Sequence, residues 1–252
     1  MKQLSLPNEW SEKIMPGGLP IPSVTIISGE GGSGKPLIET AFIAQWLRNG
    51  GKAIGIPLQY PSADFLNSSM KKLHQIDLND YKDQLVYVQF NPDIDEMEYI
   101  AGSGITANLL KGEVWDMTIR KGLEILNSPA EEVLLFGSAL NLLLFSPKYK
   151  DEIIGKLSDL FGRYRKTMSI MFSVSTSAMR EEIRTWEDGA DNLMFTEMDK
   201  EKNLYIYTER FKGEPFRTEK IYVPIAKSTL MELKDIAEHS RSKIIPKLVK
   251  IV

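Results

Sequence analysis

The sequence predicts an α/β fold: a mostly parallel twisted sheet flanked by helices, with an antiparallel hairpin near the C-terminus. Three observations predict it. Short apolar runs alternate with segments whose apolar residues recur at helical spacing, the pattern of a parallel sheet covered by helices. A glycine-rich loop joins the first apolar run to the first helical segment. Late in the chain the alternation stops, and two extended segments meet across Lys212-Gly213-Glu214-Pro215, a hairpin-type connection.

The elements follow in order. The run Val24 to Ser28 predicts a strand, and 36–47 the helix after it. A second strand over 53–58 begins after the turn Asn49-Gly50-Gly51. Helices are predicted over 66–74 and 113–126, strands over 85–90, 133–136, 169–174 and 193–196. Between the fourth and fifth strands, Ile153, Ile154, Leu157, Leu160 and Phe161 lie at helical spacing and predict a helix over 151–164. The segment around Arg180, Glu181, Glu182 and Arg184 reads as a charged loop. The two C-terminal strands are expected over 204–211 and 219–223, then a helix over 228–239 capped by Ser228 or Thr229. The tail over 243–252 mixes Lys243, Lys247 and Lys250 with Ile244, Ile245, Leu248, Val249 and Ile251, and reads as a packed terminal strand or a docking segment, with packing favoured. No repeat or low-complexity linker divides the chain, so 1–252 is read as one domain with an N-terminal segment over 1–20 and a tail over 241–252.

Composition narrows the function. The 252 residues are 42% apolar and 26% charged with a net charge of -3, which gives no overall bias toward nucleic acid or anionic membranes. The chain has no cysteine and two histidines, His74 and His239, which excludes disulfides, thiolate-held metals, thiol nucleophiles and a His-rich metal site. The first twenty residues lack the apolar core of a signal peptide, and the stretch from Val133 to Phe145 is too short and broken to span a bilayer. A cytoplasmic protein with no membrane partner is expected. Arg180 and Arg184 alternate with Glu181, Glu182, Glu187 and Asp188, and Trp186 is the only aromatic among them, so a groove for nucleic acid is not favoured.

One motif carries chemistry. Gly29-Glu30-Gly31-Gly32-Ser33-Gly34-Lys35 matches G-x-x-x-x-G-K between a predicted strand and a predicted helix, the context a phosphate-binding loop requires. Glycines let successive N–H groups point inward, the helix start adds a positive dipole end, and Lys35 would reach the outer phosphates. Glu30 places a negative charge beside that site and works against tight binding. The next residue is Pro36, where a magnesium-binding hydroxyl normally stands. Proline brings neither a hydroxyl nor an N–H, yet it suits a first helical turn. The substitution removes ligand chemistry and spares the architecture.

With that loop placed, the chain resembles the RecA/KaiC-like P-loop ATPases, in particular their short single-domain KaiC-like members. The resemblance covers nearly the whole chain and rests on the order and spacing of its landmarks. These are Met15-Pro16-Gly17-Gly18-Leu19-Pro20, the loop ending at Lys35, Asn49-Gly50-Gly51-Lys52, Ala190-Asp191-Asn192-Leu193-Met194, and Arg210-Phe211-Lys212-Gly213. It implies a RecA-like core with a nucleotide on Gly29, Gly31, Gly32, Ser33, Gly34, Lys35 and Pro36. It also marks three departures. In the family the strand after the P-loop helix ends in a glutamate pair that activates water; here the stretch is Leu58-Gln59-Tyr60-Pro61, and neither Gln59 nor neutral Tyr60 is a useful base. The family's apolar run ending in Asp-Ser is here Val133-Leu134-Leu135-Phe136-Gly137-Ser138, with Gly137 in place of the metal-shell aspartate. Pro36 is the third.

The resemblance further implies that Arg210 and Lys212 match basic residues reaching a neighbouring subunit's phosphates, although two solvated charges at a strand end read equally well. The expectation is a degenerate RecA/KaiC-like protein that binds ATP weakly, holds Mg²⁺ weakly or not at all, and leans away from being an enzyme. It would act through a homo-oligomer or a protein or peptide partner, with Leu4 to Trp10 or the apolar tail from Ile244 as segments to lend. A slow ATPase using Gln59 and a DNA-associated recombinase paralogue are the alternatives.

Overall fold

The computed structural model of the chain describes residues 3–251 apart from 61, 101, 103 and 214, with the side chains of that set except those of 100, 233 and 237. Pro61 at the exit of the second predicted strand, Glu214 in the hairpin turn and Val252 in the tail lie outside the described residues.

A small ribbon begins the chain: β1 (Gln3–Leu4) pairs antiparallel with β2 (Leu19–Pro20), and α1 (Glu9–Ile14) lies between them. The main sheet then builds from β3 (Val24–Ser28), α2 (Lys35–Arg48), β4 (Lys52–Pro57), α3 (Ala63–His74), β5 (Leu85–Phe90), β6 (Met97–Ile100), β7 (Gly104–Ala107) and α4 (Gly112–Leu126). It continues through β8 (Val133–Ser138), α5 (Lys150–Tyr164), β9 (Ser169–Ser173), α6 (Arg180–Gly189), β10 (Asn192–Met198), β11 (Leu204–Arg210), β12 (Ile221–Val223) and α7 (Lys227–Val249). The ten-stranded order is β12-β11-β10-β3-β9-β8-β4-β5-β7-β6. From β10 to β7 neighbouring strands run parallel; β11 and β12 at one edge and β6 at the other are antiparallel. The predicted fold class, including its antiparallel C-terminal strands, is the observed one.

The central strands β3, β8 and β9 are buried at every position, so they read as continuous apolar runs. Each face of the sheet has its own core. On one side α4, α5 and α6 bury Trp115, Leu157, Phe161, Ile183 and Trp186. On the other, α1, α2 and α3 bury Trp10, Ile38, Phe42, Leu66 and Met70. Helix α7 joins both: Leu230 belongs to the second core and Leu248 to the first. It therefore passes over the sheet from one face to the other.

Four expectations need correction. The charged segment after β9 is helix α6, because Ile183 and Trp186 fall on one face three residues apart and both are fully buried. The tail forms a helix, not a strand: α7 runs on to Val249 and buries Leu248. Pro246 lies inside its last turns and costs the one helical hydrogen bond its missing N–H would have made. The hairpin of β6 and β7 was absent from the expected elements. The N-terminal segment is also engaged within its own chain: Leu4 pairs in the β1–β2 ribbon, and Leu4 and Trp10 are buried.

Candidate functional site

The glycine-rich loop leaves β3 at Ser28 and enters α2 at Lys35. Gly29 has φ +147°, and a β-carbon there would lie 2.4 Å from the Thr196 carbonyl oxygen. Gly34 caps α2 in the left-handed region at φ +78°. Both positions require glycine, and together they curl the backbone into a cradle. Pro36 occupies the first turn of α2. The loop is tied down on both flanks: the Gly31 amide donates to Ser177 Oγ at 2.7 Å, the Thr176 amide donates to the Gly29 carbonyl at 2.9 Å, and Ser33 Oγ lies 2.8 Å from Thr196 Oγ1.

Lys35 folds back into this cradle. Its Nζ donates to the carbonyls of Gly29 at 3.0 Å and Glu30 at 2.5 Å and to Ser33 Oγ at 3.2 Å. Burial, and then the nearby Arg241 charge, pull the Lys35 ammonium down to about 7, while the Glu30 carboxylate pulls it upward.

A cavity of about 80 Å³ opens on the cradle. Its walls include Gly31, Gly32, Gly34, Lys35, Pro36 and Gln59, with Ser173 and Ser175 at the end of β9 and Asn141 in the short 3-10 turn after β8. Asn141 accepts the Ser175 amide through Oδ1 at 2.9 Å, and the Ser175 hydroxyl is buried without a protein partner. A further wall comes from α7, through Leu230, Lys234 and Arg241.

The structure gathers Gly31, Gly32, Gly34, Lys35, Pro36 and Gln59 around one cavity and sets Gly29 and Ser33 in the supporting turn. Tyr60 is buried beside the site, where burial foremost and the Glu39 carboxylate next push its phenol up to about 12. Gly137 is the penultimate residue of β8, and a β-carbon there would meet Leu140 at 3.1 Å. Arg210 and Lys212 lie away from this chain's cradle. Arg210 pairs across from Leu193 early in β10 and donates to the carbonyls of Glu187 and Asp188. Lys212 Nζ meets the buried Asp191 carboxylate at 3.0 Å, which also accepts from Arg165 and from the Val24 amide at the start of β3.

Three residues escaped the sequence reading. Lys234 and Arg241 carry no local motif. Glu39 does leave a signal, a lone acid among Leu37, Ile38, Ala41 and Phe42. It is fully buried beneath the cavity floor, where Ser173 Oγ donates to its Oε2 at 3.3 Å and its Oε1 has no protein partner. Burial pushes its carboxyl up to about 8, against hydrogen bonds from Ser173 and the Gly137 backbone.

These residues fit the phosphates of a nucleotide and do not fit its magnesium ion. A glycine-lined cavity with Lys35 in its wall suits an anion. Pro36 and Gly137, where the resemblance implies metal ligands, bring no side-chain oxygen, burial favours the protonated form of Glu39, and no group of three or more acids or histidines among the described residues could hold a metal. Fold and cradle thus define a glycine-rich strand-to-helix loop with a small cavity on a mostly parallel sheet.

Comparison with solved structures places the same fold in two archaeal proteins. A KaiC-like protein of Pyrococcus horikoshii OT3 superposes with a TM-score of 0.65 at 14% identity, over 89% of this chain and 94% of that one. The flagellar accessory protein FlaH of Methanocaldococcus jannaschii gives 0.65 at 16% identity, over 90% and 95%. No protein-family model matches the chain, and no curated protein matches it in sequence. No helix among the described residues is long and apolar enough to cross a membrane.

Proposed function

We propose that this chain is a degenerate RecA/KaiC-like unit that binds a nucleoside triphosphate weakly, turns it over little or not at all, and works by assembling with copies of itself or with a protein partner. One observation supports the reading: the glycines and lysine of the loop frame a cavity, while the residue after the lysine, Pro36, brings no hydroxyl to it. Removing one electrostatic stabiliser typically raises a barrier by about 2 to 4 kcal/mol, so losing metal ligands and base together leaves little catalysis.

Assembly has physical support in the sheet edges β12 and β6, which can accept a further strand. The N-terminal segment, already packed in its own chain, is a poor donor. Slow hydrolysis is the second reading, because Gln59 lines the cavity and its amide could orient water. The mixed charges along α6 give a DNA-associated role no comparable support.

Phosphate release with ATP, alongside light scattering, tests the proposal. It expects turnover at the level of the Lys35→Ala variant and a mass above one chain, alone or with a captured partner. Turnover that Lys35→Ala abolishes would favour the slow ATPase, and a strict monomer with no partner would remove the assembly role.

A further inference from the structure

The cradle lacks metal ligands, yet it does not lack positive charge. Helix α7 lies against it and contributes two cations from the opposite end of the chain. A β-carbon on Gly31 would sit 3.4 Å from Arg241 Nη1, and one on Gly32 would sit 3.6 Å from Lys234 Cε. Both side chains line the same cavity as Lys35, and the charge of Arg241 is close enough to lower the Lys35 pKa. Lys234 has a half-exposed partner one turn on, Glu238 at 3.6 Å. Arg241 has no carboxylate within ion-pair distance among the described residues. The opposing charge is Glu30, which is exposed and lines the neighbouring cavity together with Lys234.

Lys35, Lys234 and Arg241 line one cavity, and when all three are charged they repel one another unless an anion joins them. A lone phosphate could satisfy one or two of them; a chain of phosphates can satisfy all three. The cavity volume agrees. At about 80 Å³ it admits phosphate groups but falls well below the roughly 300 Å³ at which pockets begin to enclose whole small ligands.

We propose that Lys234 and Arg241 of α7 take over the charge neutralisation that a divalent ion would provide, making this a metal-independent polyphosphate site. The inference rests on the phosphate-cradle reading above and adds the ligand class and the residues that complete the site. Free triphosphate, inorganic or carried by a nucleoside, is the ligand form it selects, because magnesium would remove the charge these side chains recognise.

Titration calorimetry on the full chain tests it, with ATP and with inorganic triphosphate, each in EDTA and in excess Mg²⁺. The wild type should bind both ligands in EDTA and more weakly in excess Mg²⁺. The double variant Lys234→Gln/Arg241→Gln should lose about a hundredfold in EDTA, at about tenfold per charge-assisted contact. The conservative Lys234→Arg/Arg241→Lys should keep most of the affinity, and unchanged thermal midpoints would show that both variants fold. If the glutamine variant binds as the wild type does while Lys35→Ala abolishes binding, the role of α7 falls and the cradle stands. Binding that requires Mg²⁺ overturns metal independence. Failure of the folded wild type to bind either ligand removes the cradle reading and this inference together. Affinity for ATP with none for inorganic triphosphate would assign recognition to the nucleoside and contradict the polyphosphate claim.

Discussion

Glu39→Gln should make the protein more stable, and increasingly so as pH rises from 4.5 to about 8. The sign follows from linkage. Burial raises the Glu39 carboxyl from 4.5 to about 8, so the folded protein holds a proton that the unfolded chain releases. The stability of the native protein that depends on this group is complete below pH 4.5 and is lost as pH climbs through the folded value. At 1.36 kcal/mol per pH unit, that interval bounds the loss at about 5 kcal/mol. Local relaxation reduces such bounds, so about 2 to 4 kcal/mol is the expected difference near pH 8. Glutamine is neutral at every pH and close in shape. Its carbonyl can accept from Ser173, and its NH₂ replaces the protonated oxygen, so the variant should match the wild type near pH 5. Urea denaturation of both proteins at pH 5, 6, 7 and 8 reads the difference directly, because every other titrating group cancels. Parallel stability curves would refute the claim that Glu39 is a neutral acid in the folded protein, and with it one reason for denying this site a metal carboxylate.

Further predictions concern the cradle. Lys35 shifts in the opposite sense: the folded state releases its proton near 7 and the unfolded state near 10.5, so wild-type stability relative to Lys35→Met should rise by up to about 1.4 kcal/mol per unit above pH 7. Urea melts at pH 7, 8 and 9 check this, and a constant gap would contradict it. Gly29→Ala combines a φ of +147° with a β-carbon 2.4 Å from a carbonyl oxygen, so it should cost about 2 to 3 kcal/mol in a thermal or urea melt. Pro36→Thr restores a hydroxyl and a backbone N–H; nucleotide affinity should rise by about tenfold in Mg²⁺ and by less in EDTA, measured by calorimetry.

Much of the architecture is legible because its signals are local. Strand β3 and strand β5 have the boundaries that their apolar runs predict, and the loop between β3 and α2 is written in seven consecutive residues. Helix α6 is hidden by its own charges: two buried apolar residues, Ile183 and Trp186, anchor a helix otherwise dominated by Arg, Glu and Asp. The β6–β7 hairpin carries Gly102 and Gly104 at its turn but lacks a clean alternation in its strands. The mixed lysine and isoleucine tail could satisfy either period until packing selected a helix. Least legible is the site's far wall. Nothing near Lys234 or Arg241 marks them as neighbours of Gly31 and Gly32, since only the passage of α7 across the sheet brings them together. Glu39 was readable as an anomaly on an apolar helix face, but its protonation depends on the depth of burial beneath Ser173.

The most direct test of a phosphate cradle without metal chemistry is a crystal structure of the chain grown with a non-hydrolysable ATP analogue and excess Mg²⁺. The account predicts phosphate oxygens on the amides of Gly32, Gly34 and Lys35, the Lys35 side chain turned from the loop carbonyls onto the ligand, and no cation coordinated by a protein side chain. An octahedral Mg²⁺ ligated by Glu39, or by another carboxylate brought into the cavity, would contradict it.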